Sequence, residues 1–206
     1  MTLIIIVVTA LVSILAFYDH SMFARLQFNA YQVIHRRQYY RIVTHGFVHA
    51  NWWHLFVNMF VLYFFGTSAE HIIGQLATAG LVKFPVALYI VFYVLAIVFS
   101  SSISLYKQKD NYLYNSVGAS GATSAVLMFS IFFNPWQMIG VYFIPVPGII
   151  FAVLYIIYSQ YMAKRGGDNI AHDAHLLGSV FGFIFPLFID LGLIYYFIES
   201  LKRFQI

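Results

Sequence analysis

Long apolar stretches alternate with shorter polar ones along almost the whole chain, and this pattern predicts membrane-spanning helices. A helix that crosses a bilayer needs about 17–25 mostly apolar residues. The first stretch is short by this measure, but it lacks the basic start and the small-residue cleavage site of a secretory signal peptide. We therefore predict six spans, at Thr2–Phe17, Trp52–Ala69, Phe84–Leu105, Gly118–Phe133, Pro147–Met162 and Ile170–Phe188.

The polar connections between these spans differ in character. The longest, residues 19–51, carries arginines with aromatic and apolar residues between them, which suggests short helices lying in the membrane interface. A plainly solvated loop is the alternative. Asn134-Pro135 ends the fourth span, because a residue before proline leaves the helical region. A turn is predicted at residues 164–169. Residues 191–206 form either an interfacial helix or a partial seventh span, and we favour the first.

Composition sets the class of the protein. Of the 206 residues, 62% are hydrophobic and only 9% are charged, whereas a soluble domain carries about 25% charged residues. The chain is therefore predicted to be an all-α polytopic membrane protein with one membrane-embedded domain over residues 1–206. The absence of cysteine excludes disulfides, thiolate catalysis and cysteine-ligated metals. The net charge of +4 suits a neighbour of anionic lipid better than a nucleic-acid-binding protein.

Three polar side chains fall at the same depth of the predicted bundle. Because successive spans alternate in direction, the second, fourth and sixth all begin on one side of the membrane. His54, Ser120 and His175 each lie close to the start of one of these three spans. At a rise of 1.5 Å per residue, each is within roughly 10 Å of the same membrane face. The three side chains can therefore meet at one shallow site.

Such a set of residues is suited to nucleophilic catalysis. A serine hydroxyl needs a base to take its proton, and histidine is the usual one. Ser120 also lies in the first turn of its helix, where N–H groups are unpaired and the helix dipole is positive. Asn58 lies one turn after His54 on the same helix face, so both side chains and the Ser120 N–H can donate to an oxyanion. Asp173 points away from His175, which favours a Ser–His dyad over a triad.

Small residues predict close packing of the fourth and sixth helices. Gly121 and Ala125 are four residues apart on one, and Gly178 and Gly182 are four apart on the other. Small residues at such spacing let helix backbones approach closely in a membrane. By itself the run of small residues is also compatible with a packing seam that has no catalytic role. The residues predicted to support the site are Gly118, Gly121, Ser124, Gly178 and Gly182.

Together, these motifs resemble the rhomboid family of intramembrane serine proteases, in its bacterial, six-span form. Gly118–Gly121 matches the family's G-x-S-G, His54–Asn58 its H-x-x-x-N, and Ala174–Gly182 its A-H-x-x-G-x-x-x-G. The resemblance covers roughly residues 40 to 190. It also includes patterns in the first loop and the second helix, at Tyr40-Arg41, Thr44–His49 and Gly66–Glu70.

The resemblance implies a fold and an activity. The fold would be a six-helix rhomboid-like bundle with a long interfacial first loop. Ser120 would be the nucleophile and His175 the general base, while His54, Asn58 and the Ser120 backbone would form the oxyanion hole. Substrates would be single-span membrane proteins, cut within or next to their transmembrane helix in a bacterial-type plasma membrane. No cofactor and no metal are expected, and the partners would be these substrates and the lipid bilayer.

The chain departs from the family pattern in two ways. Many relatives carry an aromatic residue four positions after the nucleophile, on which the base rests. Ser124 occupies that position here, so His175 must be held differently. The loop charges also conflict with the family topology, which places the first, third and fifth loops outside, because the positive-inside rule favours the opposite orientation. We follow the resemblance. The basic residues concerned are Arg25, Arg36, Arg37, Arg41, Lys107, Lys109, Lys164 and Arg165.

Other functions remain open from sequence alone. A catalytically inert, derlin-like member of the family would bind membrane clients without cutting them. A proton-coupled transporter would use buried histidines, but intramembrane carboxylates are scarce and Glu70 is the main one. A metal or haem site is a further alternative, although no H-E-x-x-H motif is present. The histidines that prompt it are His45, His49, His54, His172 and His175.

Overall fold

The computed structural model describes residues 1–141, 144–166 and 171–203, and this part of the chain is mostly helical. The predicted start of the sixth span at Ile170, turn residues 167–169 and the last three residues of the tail lie outside it. The helices are α1 (Thr2–Tyr18), α2 (His20–Leu26), α3 (Ala30–Arg36), α4 (Arg41–Thr44), α5 (Trp52–Val61), α6 (Thr67–Thr78), α7 (Pro85–Ser100), α8 (Ser102–Lys107), α9 (Ser120–Phe133), α10 (Gly148–Arg165), α11 (His172–Ile184), α12 (Pro186–Ile189) and α13 (Leu193–Lys202).

Helix α1 has the inside-out pattern of a membrane protein. Its buried residues are small or polar, and they include Thr9 and Ser13, whereas Leu3, Leu11 and Leu15 are exposed. Lipid tails are as apolar as leucine, so helices in a membrane pack through small residues and hydrogen bonds. The composition of the buried face therefore agrees with an apolar surrounding for this helix.

The segment between α1 and α5 is folded, as the prediction of short helices requires. Asp19 caps α2 by accepting hydrogen bonds from the N–H groups of Ser21 and Met22. The Arg41 guanidinium is buried and donates to the carbonyl oxygens of Ala24 and Gln27, both at 2.8 Å. These bonds tie α4 to α2. They also give the buried guanidinium the acceptors that a charged group needs when it is removed from water.

A π-helical turn, Leu62–Gly66, joins α5 to α6 and makes one continuous helical segment. The π turn leaves carbonyl groups without their usual helical donors. Hydroxyl groups take their place, since Thr67 Oγ1 donates to Tyr63 O at 2.6 Å and Ser130 Oγ donates to Phe65 O at 3.1 Å. The segment therefore continues past the predicted end of the second span at Ala69.

Two helical segments in the described part of the chain, Trp52–Thr78 and Pro85–Lys107, are long and apolar enough to cross a membrane. Thr2–Tyr18 and Ser120–Phe133 are apolar but shorter. That the chain crosses the membrane six times therefore stays a prediction.

Helix α9 is the centre of the fold. Every residue from Gly121 to Phe133 is buried, and the aromatic core forms around it. Phe92 of α7 packs between Phe129 of α9 and Phe185 after α11, with ring centroids 5.1 and 4.3 Å away. The helix begins at the face that carries the site and ends before Pro135, as the sequence predicts.

Two elements lie at the far end of α9. Strands β1 (Met138–Val141) and β2 (Ile144–Pro147) pair antiparallel, a hairpin that the apolar pattern does not predict. Helix α13 packs Phe197 against Phe132 at a centroid distance of 5.0 Å. Ten residues of helix reach about 15 Å, roughly half of a bilayer core, and the choice between an interfacial helix and a partial seventh span stays a prediction.

Candidate active site

The turn before Ser120 requires glycine at position 118. Gly118 has a φ of +113°, and a Cβ there would overlap the His54 imidazole. Its N–H donates to the carbonyl oxygen of His45 at 2.9 Å. The left-handed backbone and the close imidazole both exclude a side chain. The nucleophile candidate is therefore delivered by a turn that packs directly against α5 and the 3₁₀ turn His45–Phe47.

His49 fastens the same turn to α1. The Ser13 hydroxyl donates to Phe47 O at 2.9 Å, so it accepts from His49 Nδ1, also at 2.9 Å. His49 Nε2 is then an acceptor, and the Ala119 N–H points to it at 3.3 Å. Burial, with a smaller effect of the nearby His54, lowers the pKa of His49 to about 3. The neutral His49 imidazole, which can donate from Nδ1 and accept at Nε2, is thus the stable form.

Ser120 begins α9 and is partly exposed. As the first residue of the helix, its N–H has no carbonyl one turn earlier to donate to. Its own carbonyl accepts from Ser124 Oγ at 2.8 Å, and Thr123 Oγ1, at 3.1 Å, shares its single proton between this carbonyl and Asn58 Oδ1. The backbone around Ser120 is therefore fixed on its carbonyl side, while the N–H side is available for a developing anion.

Helices α9 and α11 touch backbone to backbone. A Cβ at Gly178 would overlap the carbonyl oxygen of Gly121, and one at Gly182 would overlap that of Ala125. The close approach predicted from the small residues is confirmed. A Cβ at Gly121 would in turn lie 3.3 Å from the carbonyl oxygen of Ala174. The structure thus brings the first turn of α9 beside the first turn of α11.

His175 therefore lies on the turn of α11 that adjoins Ser120. Its carbonyl oxygen accepts from Ser179 Oγ at 2.8 Å, which holds the backbone of this turn. The Asp173 carboxylate pairs with Lys107 of α8 at 2.9 Å. That pairing agrees with the expectation that Asp173 does not act on the base.

His54 and Asn58 lie on the other side of the serine turn. The Ala50 N–H donates to His54 Nδ1 over a long 3.5 Å, which leaves Nε2, near Gly118, to carry the proton of the neutral ring. Asn58 is buried, accepts from Thr123 Oγ1 at 3.2 Å and donates one Nδ2 hydrogen to His54 O at 2.8 Å. Both side chains thus retain a donor next to the first turn of α9.

Tyr155 of α10 also belongs to the site, although the sequence did not predict it there. Its ring lies nearly parallel to the His175 imidazole, with an interplanar angle of 19° and centroids 6.3 Å apart. Its hydroxyl is 2.9 Å from Ser124 Oγ. One signal in the sequence points to such a contact. Ser124 stands where an aromatic residue is usual, and its small side chain leaves space for a ring from another helix.

The remaining histidines have packing contacts. The His172 ring meets those of His175 and Tyr158 edge-on, at 5.8 and 5.7 Å. His45 is buried against Phe28, and burial lowers its pKa to about 4. Across the described ranges, no group of three or more histidine or acidic side chains is arranged to hold a metal.

A polar cavity of about 230 Å³ adjoins the site. It lies between α8, the end of α10 and the start of α11, and Lys107, Tyr114, His172 and Asp173 are among the residues that line it. Its lining includes hydroxyl, ammonium, imidazole and carboxylate groups. The cavity is therefore a place where water can approach the turn that carries His175.

The part of the chain that holds this site is similar to known proteins. A family model described as the Rhomboid domain matches residues 36–190, well over half of the chain, and this range includes His54, Asn58, Ser120, Tyr155 and His175. The RHOMBOID-like protein 12, mitochondrial, of Arabidopsis thaliana is 30% identical over 150 residues. The alignment covers 67% of this chain and 43% of that relative, so the chain spans less than half of the relative's length.

Proposed function

Since the chain belongs to the rhomboid family, we propose that it is an intramembrane serine endopeptidase working through a Ser120–His175 dyad. The observation that carries the proposal is the backbone contact between α9 and α11, which sets the turns of Ser120 and His175 side by side. The first N–H of α9, which has no intrahelical acceptor, and the donors of α5 lie at the same turn. This combination fits acyl transfer better than transport or metal chemistry.

The first half of the reaction would form an acyl-enzyme. Ser120 Oγ attacks the carbonyl carbon of the scissile peptide, and His175 takes the hydroxyl proton. The Ser120 N–H, His54 Nε2–H and the second Asn58 Nδ2–H donate to the oxyanion. One such donor typically contributes about 2.7–4 kcal/mol to the transition state. The imidazolium then gives its proton to the leaving amine, and the C–N bond breaks.

The second half would hydrolyse the ester on Ser120. His175 deprotonates a water molecule, which attacks the acyl carbon and passes through the same oxyanion site. Collapse of this intermediate releases the carboxyl product and returns the proton to Ser120 Oγ. The polar cavity lined by His172 and Asp173 is on the same side of the bundle and offers a route for this water.

The membrane setting follows from the family. Rhomboid-domain proteins are integral membrane proteins, and the family acts on membrane protein substrates in a bilayer. We extend this to six spans, formed by α1, α5–α6, α7–α8, α9, α10 and α11–α12, with the site near the outer face of a bacterial-type plasma membrane. The name of the Arabidopsis relative describes that protein as mitochondrial. Tags at both termini test the orientation: protection from external protease supports it, and cleavage of the tags reverses it.

Substrates of the proposed enzyme are single-span proteins cut within or next to their transmembrane helix, at small residues. Ser120 supports this choice because it lies in the first turn of a buried helix, close to one face of the bundle. The test is cleavage of a reporter helix by purified protein in liposomes, with Ser120→Ala and His175→Ala as comparisons. Loss of cleavage in both variants supports the dyad. Binding of the reporter without cleavage by the native protein would instead support an inert, client-binding role.

A further inference from the structure

Tyr155, on a third helix, contacts His175 directly and Ser120 through Ser124. Its ring lies parallel to the His175 imidazole, and its hydroxyl meets Ser124, one turn after Ser120 on α9. We propose that Tyr155 is the positioning residue that fixes the orientation of the His175 ring relative to Ser120. This inference rests on the proposed function, since it concerns the geometry of that dyad.

The hydrogen-bond directions link Tyr155 to the nucleophile's own backbone. The Ser124 hydroxyl donates to the carbonyl oxygen of Ser120 at 2.8 Å. Its single proton is thereby used, so the 2.9 Å bond to Tyr155 is donated by the tyrosine O–H. The chain Tyr155 to Ser124 to Ser120 therefore runs in one direction. These two bonds hold the Tyr155 hydroxyl, and with it the ring, at a fixed position beside the first turn of α9.

The ring contact fixes the other member of the pair. Parallel, offset rings with centroids about 4.5–7 Å apart are a favoured arrangement of aromatic side chains, and the 6.3 Å and 19° of Tyr155 and His175 fall within it. A parallel face restricts rotation of the imidazole. It also tolerates the positive charge that appears when His175 takes the serine proton.

The small size of Ser124 is what gives Tyr155 its place. Ser124 is buried, and its Oγ touches the end of the Tyr155 side chain. A large side chain at position 124 would occupy the volume that Tyr155 now fills. An aromatic ring from α9 and one from α10 are therefore alternative supports for the same imidazole, and this chain uses the second.

The first test compares reporter cleavage by the full chain in liposomes for the native protein and three variants. Tyr155→Ala should lower kcat by about 10²-fold with little change in KM, the scale expected when a catalytic group is misplaced by about 1 Å. Tyr155→Phe keeps the ring and should lose only a few-fold. Tyr161→Ala alters an exposed tyrosine of the same helix and should match the native protein. The pH profile of kcat should shift in Tyr155→Ala and stay unchanged in Tyr161→Ala.

A rescue variant separates positioning from general packing. Ser124→Tyr alone should lower activity, because Tyr155 already fills the space. Combined with Tyr155→Ala, it should restore kcat above that of either single variant. Two independent losses would instead add, so the double variant would then be less active than both. If the double variant is as inactive as the sum of the two singles, the positioning role is wrong.

A measurement without turnover distinguishes the two levels of the proposal. In histidine-labelled protein in micelles, the His175 ring signal is identified by its absence in His175→Ala. That signal should move in Tyr155→Ala, through loss of the ring current, and stay close to the native position in Tyr155→Phe. Native kcat, pH profile and ring signal in Tyr155→Ala would overturn the inference and leave the proposed function intact. Full cleavage by Ser120→Ala would overturn the proposed function, whatever the His175 signal does.

Discussion

Gly178 of α11 faces Gly121 of α9 so closely that a methyl group at position 178 would overlap the carbonyl oxygen of Gly121. This contact lies one turn from both Ser120 and His175. The distance between the two proposed catalytic residues therefore depends on two residues that have no side chains.

Gly178→Ala should separate the two helices and reduce both stability and cleavage. Overpacking of a tight interface typically costs about 1–3 kcal/mol, and we expect a loss of that order in the free energy of unfolding. Gly74→Ala is the matched control, because Gly74 is also helical and nothing lies within 4 Å of the place a Cβ would take there. Thermal unfolding in detergent measures the stability of the two variants, and reporter cleavage measures their activity. Equal stability of the two variants would contradict the account of the helix contact.

Gly118→Ala should impair the serine turn for two reasons, the positive φ and the overlap with His54. Gly80→Ala tests the backbone effect alone, since Gly80 has a φ of +80° but open space around it. We expect Gly80→Ala to lose about 1 kcal/mol of stability through backbone strain, without loss of cleavage. Gly118→Ala should lose more stability and most of its reporter cleavage. Similar behaviour of both variants would show that the His54 contact is unimportant.

Acid should weaken the fold through two buried histidines outside the spans. The folded-state pKa is about 4 for His45 and about 3 for His49, against an ordinary 6.5. The unfolded chain therefore binds protons that the folded chain refuses, and the free energy of unfolding falls as pH drops below about 6.5. Each histidine contributes up to about 1.4 kcal/mol per pH unit in this window.

His49→Gln should make the pH dependence of stability shallower between about pH 6.5 and 4.5, where the unfolded chain takes up the proton and the folded chain does not. Exposed Gln75, which carries no titrating group, gives the control, and Gln75→Ala should keep the native slope. Unfolding temperatures across this pH range, measured in one detergent, provide the comparison. A native slope in His49→Gln would mean that His49 is not held neutral by burial.

Asp173→Asn should retain most of the cleavage activity, because the Asp173 carboxylate pairs with Lys107. In a Ser–His–Asp triad, neutralising the carboxylate lowers kcat by about 10⁴-fold, so a loss of less than about 10-fold fits a dyad on this scale. Steady-state kcat of Asp173→Asn and of Lys107→Gln, which breaks the same ion pair, decides between the two. A loss on the triad scale in Asp173→Asn alone would establish a triad.

Much of the fold follows from the sequence, because apolar length and small-residue spacing are local properties. The predicted span Gly118–Phe133 agrees with α9 to within about two residues at its start, a margin usual for helix ends, and the contact of Gly178 with Gly121 follows from their small size. The common depth of Ser120 and His175 is predicted from the alternation of span directions, and their juxtaposition from the small residues of the two helices.

The other features depend on packing between helices that are distant in sequence. Tyr155 is one of 16 tyrosines, and nothing in its own neighbourhood marks it as the one beside His175. The rotation of α10 about its axis selects it. The π turn Leu62–Gly66 likewise meets a hydroxyl from α9, since Ser130 Oγ lies 3.1 Å from both Phe65 O and Val126 O. The hairpin of β1 and β2 is too short to show a periodic pattern.

In the proposed mechanism His175 activates Ser120, and labelling with a fluorophosphonate tests this most directly. Native protein, Ser120→Ala, His175→Ala and the control Ser102→Ala, which alters an exposed serine outside the site, are treated in the same detergent after their folding is checked, and the labelled residue is identified by mass spectrometry. We predict a label on Ser120 in the native protein, its loss in Ser120→Ala and His175→Ala, and its retention in Ser102→Ala. Equal labelling of His175→Ala, or a folded native protein that takes no label, would contradict the account.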